Sequence, residues 1–357
     1  MHDLGAILTT EQLTGLQALS ARHVAFSLTE ACPLACRHCI VSTVPVADTT
    51  RYLSVEAAER YAGELPELAA RGVVRISFTG GEPMLARRQL EILSRAAVAS
   101  GMTCTIVTAC HWAATPAAAR QHIRHFDAIE HWHLSTDIYH LEFAPMEVVL
   151  HAAREAIGAG RKALVRMAAP VPLPAEHQAL YSALLEQLPP GVGIAVQPVT
   201  RNGRGAAIAT DVPAAGVPAW PCIPNGMVVR HDGTVAPCCA GLVDQRDGHP
   251  FQYPRADRAG LAAAHDRWCT DPLLQLIRTV GFAPVLQWVD EMFPDHPMAA
   301  AAPRHPCECC VRLWTSPPVA AAVRQRAERP ENSAKIAELA AAIFGETFMQ
   351  EKQVACR

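Results

Sequence analysis

The chain has 357 residues, of which 50% are hydrophobic and 18% charged, a composition typical of a well-packed globular protein. Its 31 basic and 34 acidic residues leave a formal net charge of -3, which excludes the strongly basic surface of a nucleic-acid or membrane-surface protein. The first residues lack the basic and apolar stretches of an export signal, and the charge-free stretch 98–119 is broken by polar residues and proline. We therefore expect a cytoplasmic enzyme with no nucleic-acid partner and no membrane partner.

Short apolar runs alternate with longer Ala-rich segments after residue 22, which is the pattern of parallel β-α units. Strands are predicted at 23–28, 73–78, 103–108, 132–135, 163–167 and 193–197. Helices are predicted between them, for example at 54–70, where Ser54 caps the first turn, and at 145–158. The pattern predicts an α/β fold, a partial (β/α)6 TIM-like barrel, whose functional residues follow the carboxyl ends of the strands.

Four regions follow from this pattern and from the cysteines: a lead-in helix at 1–22, the barrel at 23–205, a small cysteine-rich domain at 206–316 and a helical tail at 317–357. In the third region, apolar runs at 227–230 and 234–236 flank an Asp232-Gly233 turn, which predicts a hairpin. The tail carries no motif with an evident chemical role.

The chain has 13 cysteines and no export signal, which favours metal binding or redox chemistry over structural disulfides. One group lies near the start, and a second fills the last third of the chain. Two metal sites in two regions are the simplest explanation.

The first group follows the first predicted strand, where Cys32, Cys36 and Cys39 form a Cys-x3-Cys-x2-Cys loop. Three thiolates can bind a [4Fe-4S] cluster and leave its fourth iron open to an amino-acid ligand. This spacing resembles the signature of the radical S-adenosylmethionine (SAM) superfamily, and the resemblance implies that SAM chelates the open iron. On this loop alone, a zinc site with His38 as the fourth ligand is the alternative.

A second motif, Gly80-Gly81-Glu82-Pro83, follows the second predicted strand and resembles the GGEP element of the same superfamily. Two glycines let the backbone approach a ligand closely, and Glu82 can accept from an ammonium group. The resemblance implies that this segment receives the methionyl amine of SAM.

Further strand ends supply cofactor candidates. Thr108 ends the third strand, and the resemblance implies that Ser135 and Arg166 meet the SAM carboxylate or ribose and that Val199 lies beside the adenine. His131, His133 and Ser135 alternate along the fourth strand, so the two histidines are candidate substrate contacts on the same face.

Four residues are candidates for catalysis. Asp137, Tyr139 and His140 follow the fourth strand at the barrel mouth, where they could position the substrate or move a proton. Cys110 follows the third strand and could return a hydrogen atom to a substrate radical. A structural role remains open for each of them.

The second cysteine group, Cys222, Cys238, Cys307 and Cys310, resembles the auxiliary-cluster "twitch" domain that follows the barrel in some radical SAM enzymes. Ser316 stands where the larger "SPASM" relative continues with a further cysteine, so we expect one auxiliary [4Fe-4S] cluster. Four thiolates leave no open iron, which implies that the cluster accepts or relays an electron. A four-cysteine zinc site is the alternative, and the neighbouring cysteines at 239 and 309 could replace two of the ligands.

The resemblance implies that an electron donor such as flavodoxin or ferredoxin reduces the first cluster. SAM cleavage then gives a 5'-deoxyadenosyl radical that abstracts hydrogen from a small-molecule or peptide substrate. Dehydrogenation, crosslinking and epimerisation remain open. Only 31 residues precede Cys32, too few for a peptide-recognition domain, which favours a small natural-product precursor over ribosomal peptide maturation. A zinc-binding interaction module and an electron carrier are the alternatives from other classes.

Overall fold

A computed structural model describes residues 10–170, 172–209, 221–238, 249–251, 253–298 and 306–344. Within these ranges, eight strands form one sheet in the order β6-β5-β4-β3-β2-β1-β7-β8. The strands are β1 (His23–Ser27), β2 (Arg75–Thr79), β3 (Thr103–Thr108), β4 (His131–Ser135), β5 (Lys162–Ala169), β6 (Gly193–Pro198), β7 (Met227–Arg230) and β8 (Val235–Ala236).

Thirteen α-helices occur in the described part of the chain. They are α1 (Thr10–Ala21), α2 (Val55–Ala70), α3 (Arg87–Ala99), α4 (Pro116–His125), α5 (Met146–Gly158), α6 (Ala175–Gln187), α7 (Ala256–Ala259), α8 (Leu261–Thr270), α9 (Pro272–Thr279), α10 (Ala283–Met292), α11 (Pro306–Leu313), α12 (Pro317–Ala327) and α13 (Pro330–Phe344). None of these is long and apolar enough to cross a lipid bilayer.

The first six strands are parallel, and each pairs with the next along the chain. The sheet stays open, with β6 and β8 at its edges, so the predicted partial barrel is confirmed. Each of the six predicted strands is present, with its ends shifted by at most two residues. A parallel sheet brings the carboxyl ends of its strands to one edge, which places the predicted site residues there.

Local sequence accounts for several element boundaries. The Ser54 hydroxyl accepts from the backbone N–H of Ala57 and caps α2, as predicted, an interaction that stabilises a helix by about 1 kcal/mol. Along β4, Trp132 and Leu134 are fully buried while His131 and His133 are half-buried on the opposite face. This alternation is the one that the sequence predicts for β4.

The predicted hairpin is present as β7 and β8, with Val229 opposite Val235. β7 also pairs in parallel with β1, so that Ala25 lies opposite Val228. One sheet therefore crosses the predicted domain boundary at residue 205. The cysteine-rich region also contains helices α7 to α11, which the sequence patterns did not predict.

Candidate active site

The cysteine loop follows β1 and is held by backbone hydrogen bonds to two neighbouring segments. The N–H of Cys32 donates to the Val44 carbonyl at 3.1 Å, and the Glu30 N–H donates to the Arg51 carbonyl at 2.9 Å. Cys32, Cys36 and Cys39 all line a cavity of about 400 Å³, a volume within the usual range of ligand and cofactor sites. The loop therefore directs its three thiols into one cavity, as the sequence predicts.

Burial dominates the electrostatics of the Cys32 and Cys36 thiols. It raises the pKa of Cys32 to about 12, and it also raises that of Cys36 to about 12, with a further contribution from the nearby Asp137. Buried thiols of this kind are neutral at physiological pH unless a bound metal draws off their protons. The donor set thus fits a soft, strongly bound metal group.

The glycine pair of the GGEP segment packs against the cysteine loop. The Gly81 N–H donates to the Thr29 carbonyl at 2.6 Å, and the Glu82 N–H donates to the Ala31 carbonyl at 2.8 Å. A β-carbon on Gly80 would overlap the carbonyl oxygen of Thr29, and the φ of Gly80 is 139°. Both glycines line the cavity. Glycine is required at these positions because the backbone of the cysteine loop lies too close to leave room for a β-carbon.

Glu82 is fully buried beneath the cavity wall. Its carboxylate accepts from the Thr108 hydroxyl at 2.8 Å, the Ala109 N–H at 2.8 Å and the Met84 N–H at 3.0 Å. Glu82 and the buried Pro83 are absent from the cavity lining, whereas Thr108 is part of it. The carboxylate therefore ties the end of β2 to the end of β3, and its contact with a SAM amine stays a prediction.

The other predicted strand-end residues converge on the same cavity, which Ser135, Arg166 and Val199 all line. The Arg166 guanidinium donates to the Gln197 side-chain oxygen at 2.6 Å, and both side chains face the cavity. The cavity wall thus combines buried thiols with a guanidinium, hydroxyls and an amide.

Asp137 organises the mouth of the cavity. Its carboxylate lies 2.9 Å from the Nδ1 of His140 and 3.5 Å from the Nε2 of His38, and it accepts from the backbone N–H groups of Tyr139, His140 and Ala168. Burial alone would raise the pKa of Asp137, but the hydrogen bond and charge of His140 hold it below its usual value.

His38, Asp137 and His140 present ligand atoms within 4.8 Å of one another, a spacing that could also hold a metal ion. However, the backbone N–H groups already use both oxygens of the carboxylate. Burial lowers the pKa of His38 to about 4, which leaves its ring neutral. The arrangement fits two oriented histidine rings held by a buried carboxylate, and His38, Asp137 and His140 all line the cavity.

Two catalytic candidates lie outside the cavity lining. Tyr139 is buried against Leu34 and Cys36, and the Arg37 guanidinium lies 5.5 Å from its ring centroid. Cys110 is fully buried with a φ of 61°, and its thiol lies 3.7 Å from the Thr108 carbonyl. The structure therefore gives neither side chain direct access to a ligand in the cavity.

Sequence reasoning missed a segment after β6 that clamps the cysteine loop. The Arg204 guanidinium donates to the Cys36 carbonyl at 3.0 Å and to the Thr43 carbonyl at 3.0 Å, and its backbone N–H donates to the Cys39 carbonyl at 2.9 Å. A β-carbon on Gly203 would overlap the Cys39 carbonyl. The sequence feature that could have indicated this segment is the Asn-Gly-Arg-Gly run at 202–205, which follows the sixth predicted strand.

A second, smaller cavity of about 40 Å³ lies among the remaining predicted ligands. Cys222, Cys238, Cys307 and Cys310 all line it, and its other walls are mainly apolar. Cys309 is fully buried and belongs to the hydrophobic core, outside this lining, whereas Cys239 and Cys356 lie outside the described residues. The structure thus brings together the four cysteines that the sequence motifs grouped.

The linings of the two cavities come close together at two points along the chain. Asn225 lines the first cavity, and its neighbour Pro224 lines the second. Likewise Arg204 lines the first cavity, and Asn202, two positions earlier, lines the second. Since consecutive Cα atoms are about 3.8 Å apart, residues one or two positions apart connect the two linings there.

Comparisons with known proteins agree with this geometry. Residues 26–131 match the model of the Radical SAM superfamily. Over 97 residues the chain is 34% identical to the GTP 3',8-cyclase of Stenotrophomonas maltophilia (strain R551-3), and the match covers 27% of this chain and 29% of that protein. The chain therefore matches less than a third of the length of this curated relative.

Two solved structures show limited similarity to this chain in overall fold. Histidine-tagged anSMEcpe with bound AdoMet is 12% identical, with a TM-score of 0.48 and coverage of 68% of this chain and 79% of that one. BtrN in complex with AdoMet and 2-DOIA is 15% identical, with a TM-score of 0.41 and coverage of 72% and 87%. The segment that holds the cysteine loop and the glycine pair thus lies within the part of the chain that matches the Radical SAM superfamily model.

Proposed function

We propose that this protein is a radical SAM enzyme that carries one auxiliary [4Fe-4S] cluster and oxidises its substrate. The observation that carries the proposal is the sorting of seven cysteines into two cavities, three in the first and four in the second, whose linings include neighbouring residues of the chain. Three thiols suit a cluster with an open iron, and four suit a closed one.

In the first cavity, Cys32, Cys36 and Cys39 would hold the cluster. A cluster bound there with SAM supplies reductive cleavage of SAM to a 5'-deoxyadenosyl radical. Gly80 and Gly81 have no side chain that would occupy the cavity, while Ser135 and Arg166 offer hydrogen-bond donors to a carboxylate or ribose.

In the second cavity, Cys222, Cys238, Cys307 and Cys310 would hold the auxiliary cluster. The cavity that these cysteines line has a volume of about 40 Å³, and its other walls are mainly apolar, which suits a thiolate-bound metal group excluded from water.

The short connections between the two cavity linings, at Pro224–Asn225 and Asn202–Arg204, support an electron-acceptor role for the second site. A cluster held there supplies an acceptor for an electron from an oxidised substrate. Cys110 is buried away from the cavity, which gives no support to a hydrogen-atom return by that thiol. We therefore favour dehydrogenation or crosslinking over epimerisation.

We propose a small natural-product precursor as the substrate and a flavodoxin or ferredoxin as the electron donor. The His140 ring, which lines the cavity and is held by the buried Asp137, is suited to contact a hydroxyl or amine of the substrate and to orient it. A ribosomal peptide remains the second substrate class, and its modification would require the same two metal sites.

Metal analysis after anaerobic reconstitution with iron and sulfide tests this proposal. We expect about eight irons per chain in the wild type, and about four in each of two variants in which one cysteine set is replaced by alanine. Zinc in place of iron at the first set would support a zinc-binding interaction module instead. Zinc at the second set would remove the electron-acceptor role.

A further inference from the structure

Trp314 has an unusual hydrogen-bond partner. Its indole N–H donates to the Sγ of Cys310 at 3.1 Å. Trp314 follows the end of α11, the helix that carries Cys307 and Cys310, and its side chain is 7% exposed. The rings of Phe251 and Phe282 lie 6.0 and 6.3 Å from the indole ring. These contacts fix the direction of the N–H.

The chemistry of this pair suits a metal-bound sulfur. An indole N–H is only a donor, and when buried it requires an acceptor. A neutral thiol is a weak acceptor, whereas a ligand thiolate carries negative charge and accepts strongly. The sulfur that receives the bond belongs to the cavity-lining Cys310, while the neighbouring Cys309 lies in the hydrophobic core.

We propose that Trp314 is a positioning residue that raises the reduction potential of the auxiliary cluster through its hydrogen bond to the Cys310 thiolate. This inference rests on the proposed function of the second cavity. Reduction adds one negative charge to a cluster whose sulfurs carry much of that charge, so an N–H donor stabilises the reduced state more than the oxidised one. A higher potential makes the cluster a better electron acceptor.

A buried cation, the Arg278 guanidinium, would also raise the reduction potential of the auxiliary cluster. Arg278 is 1% exposed, and its N–H groups donate to neutral acceptors, namely the Gln17 carbonyl, the Ser20 hydroxyl and the Gln275 side-chain oxygen. The Gln17 amide donates at 2.7 Å both to the Arg278 carbonyl and to that of Cys222, so the backbones of these two residues lie close together, and the Cys222 thiol is near enough to act on the pKa of Arg278. Among the described residues, no carboxylate pairs with Arg278.

The test is a redox titration of Trp314→Phe, followed by electron paramagnetic resonance. The Trp314→Phe variant and its parent protein both carry Cys32→Ala, Cys36→Ala and Cys39→Ala, so that only the auxiliary cluster contributes to the resonance signal. We expect unchanged iron content and a more negative midpoint potential, with reduction about tenfold less favourable, or ~59 mV for one electron. Trp288→Phe is the matched control, because Trp288 lies on α10, packs against Arg326 of α12 and does not line the second cavity. Its midpoint should equal that of the parent.

Four irons with an unchanged midpoint in Trp314→Phe would overturn this inference alone and leave the proposed function standing. Zinc at this site in the parent would overturn both. If Trp314→Phe loses the cluster, pulsed electron–nuclear double resonance is measured instead on the parent protein, labelled with ¹⁵N-indole tryptophan. A ¹⁵N coupling to the reduced cluster supports the hydrogen bond, and its absence contradicts it.

Discussion

Gly81 lies so close to Ala31 that a β-carbon on Gly81 would overlap the Ala31 carbonyl oxygen. The contact joins the GGEP segment to the loop that carries Cys32, Cys36 and Cys39, the three predicted cluster ligands. We expect Gly81→Ala to displace this loop and to lower the iron content of the first site by at least half, because the obstructing atoms are backbone and cannot rotate away. Iron counting on the reconstituted protein measures the effect.

Gly63→Ala is the control for this substitution. Gly63 lies within helix α2, and a β-carbon there would meet no heavy atom within 4 Å. Because alanine is favoured over glycine inside a helix by up to about 1 kcal/mol, this variant should keep its iron and unfold at a slightly higher temperature. Equal iron content in Gly81→Ala and Gly63→Ala would contradict the packing argument.

Arg204 links two carbonyl groups of the cysteine loop, and lysine cannot reproduce its planar fork of donors. We expect Arg204→Lys to release iron from the first site about tenfold faster under a chelator, in line with other residues that support metal ligands. Arg88→Lys, at an exposed position on α3, serves as the control. Equal release rates in the two variants would show that the clamp does not hold the loop.

The thiol of Cys110 lies outside the cavity lining, so its loss should not impair the radical chemistry. We expect Cys110→Ala to form 5'-deoxyadenosine within about twofold of the wild-type rate, at a stability cost of about 1 kcal/mol for the lost sulfur. Chromatographic quantification of deoxyadenosine measures this. A tenfold loss with full iron content would restore Cys110 as a catalytic candidate.

His23 couples stability to pH. Burial, with a contribution from Arg75, lowers the pKa of His23 to about 4, and its Nε2 lies 2.7 Å from the Ser77 hydroxyl. Since the unfolded chain takes up this proton near pH 6.5, the stabilisation is present above that pH and is lost as the pH falls towards 4. The loss amounts to at most about 3 kcal/mol.

His23→Gln keeps a hydrogen-bonding side chain and removes the titration. Denaturant unfolding of the metal-free chain at pH 7 and pH 4.5 should therefore show a smaller stability loss for His23→Gln than for the wild type. The same loss in both proteins would mean that His23 takes up its proton in the folded state as readily as in the unfolded one.

Local patterns predicted the parts of the fold that depend on neighbouring residues. The six barrel strands, the Ser54 cap and the β7–β8 hairpin follow from apolar runs and turn chemistry, and the structure confirms them. The parallel pairing of β7 with β1 joins residues some two hundred positions apart, and no local pattern encodes it. Helix α9 did leave a signal, because Asp271 caps it and Pro272 begins it.

Motif spacing likewise predicted which cysteines belong together, because ligand sets leave fixed intervals in the chain. It did not predict where side chains point. Glu82 lies in the predicted motif, yet its carboxylate is used by Thr108 and two backbone N–H groups beneath the cavity. The roles of Arg204 and Trp314 depend on contacts between distant segments or on side-chain direction, which the sequence patterns did not reveal.

The most direct test of the central claim is the formation of 5'-deoxyadenosine from SAM by the reconstituted protein under dithionite. Cys36→Ala is compared with Cys309→Ala, which removes a buried cysteine outside both cavity linings. The radical SAM assignment predicts deoxyadenosine from the wild type and from Cys309→Ala, and none above background from Cys36→Ala. No deoxyadenosine from wild-type protein with a full complement of iron would contradict it.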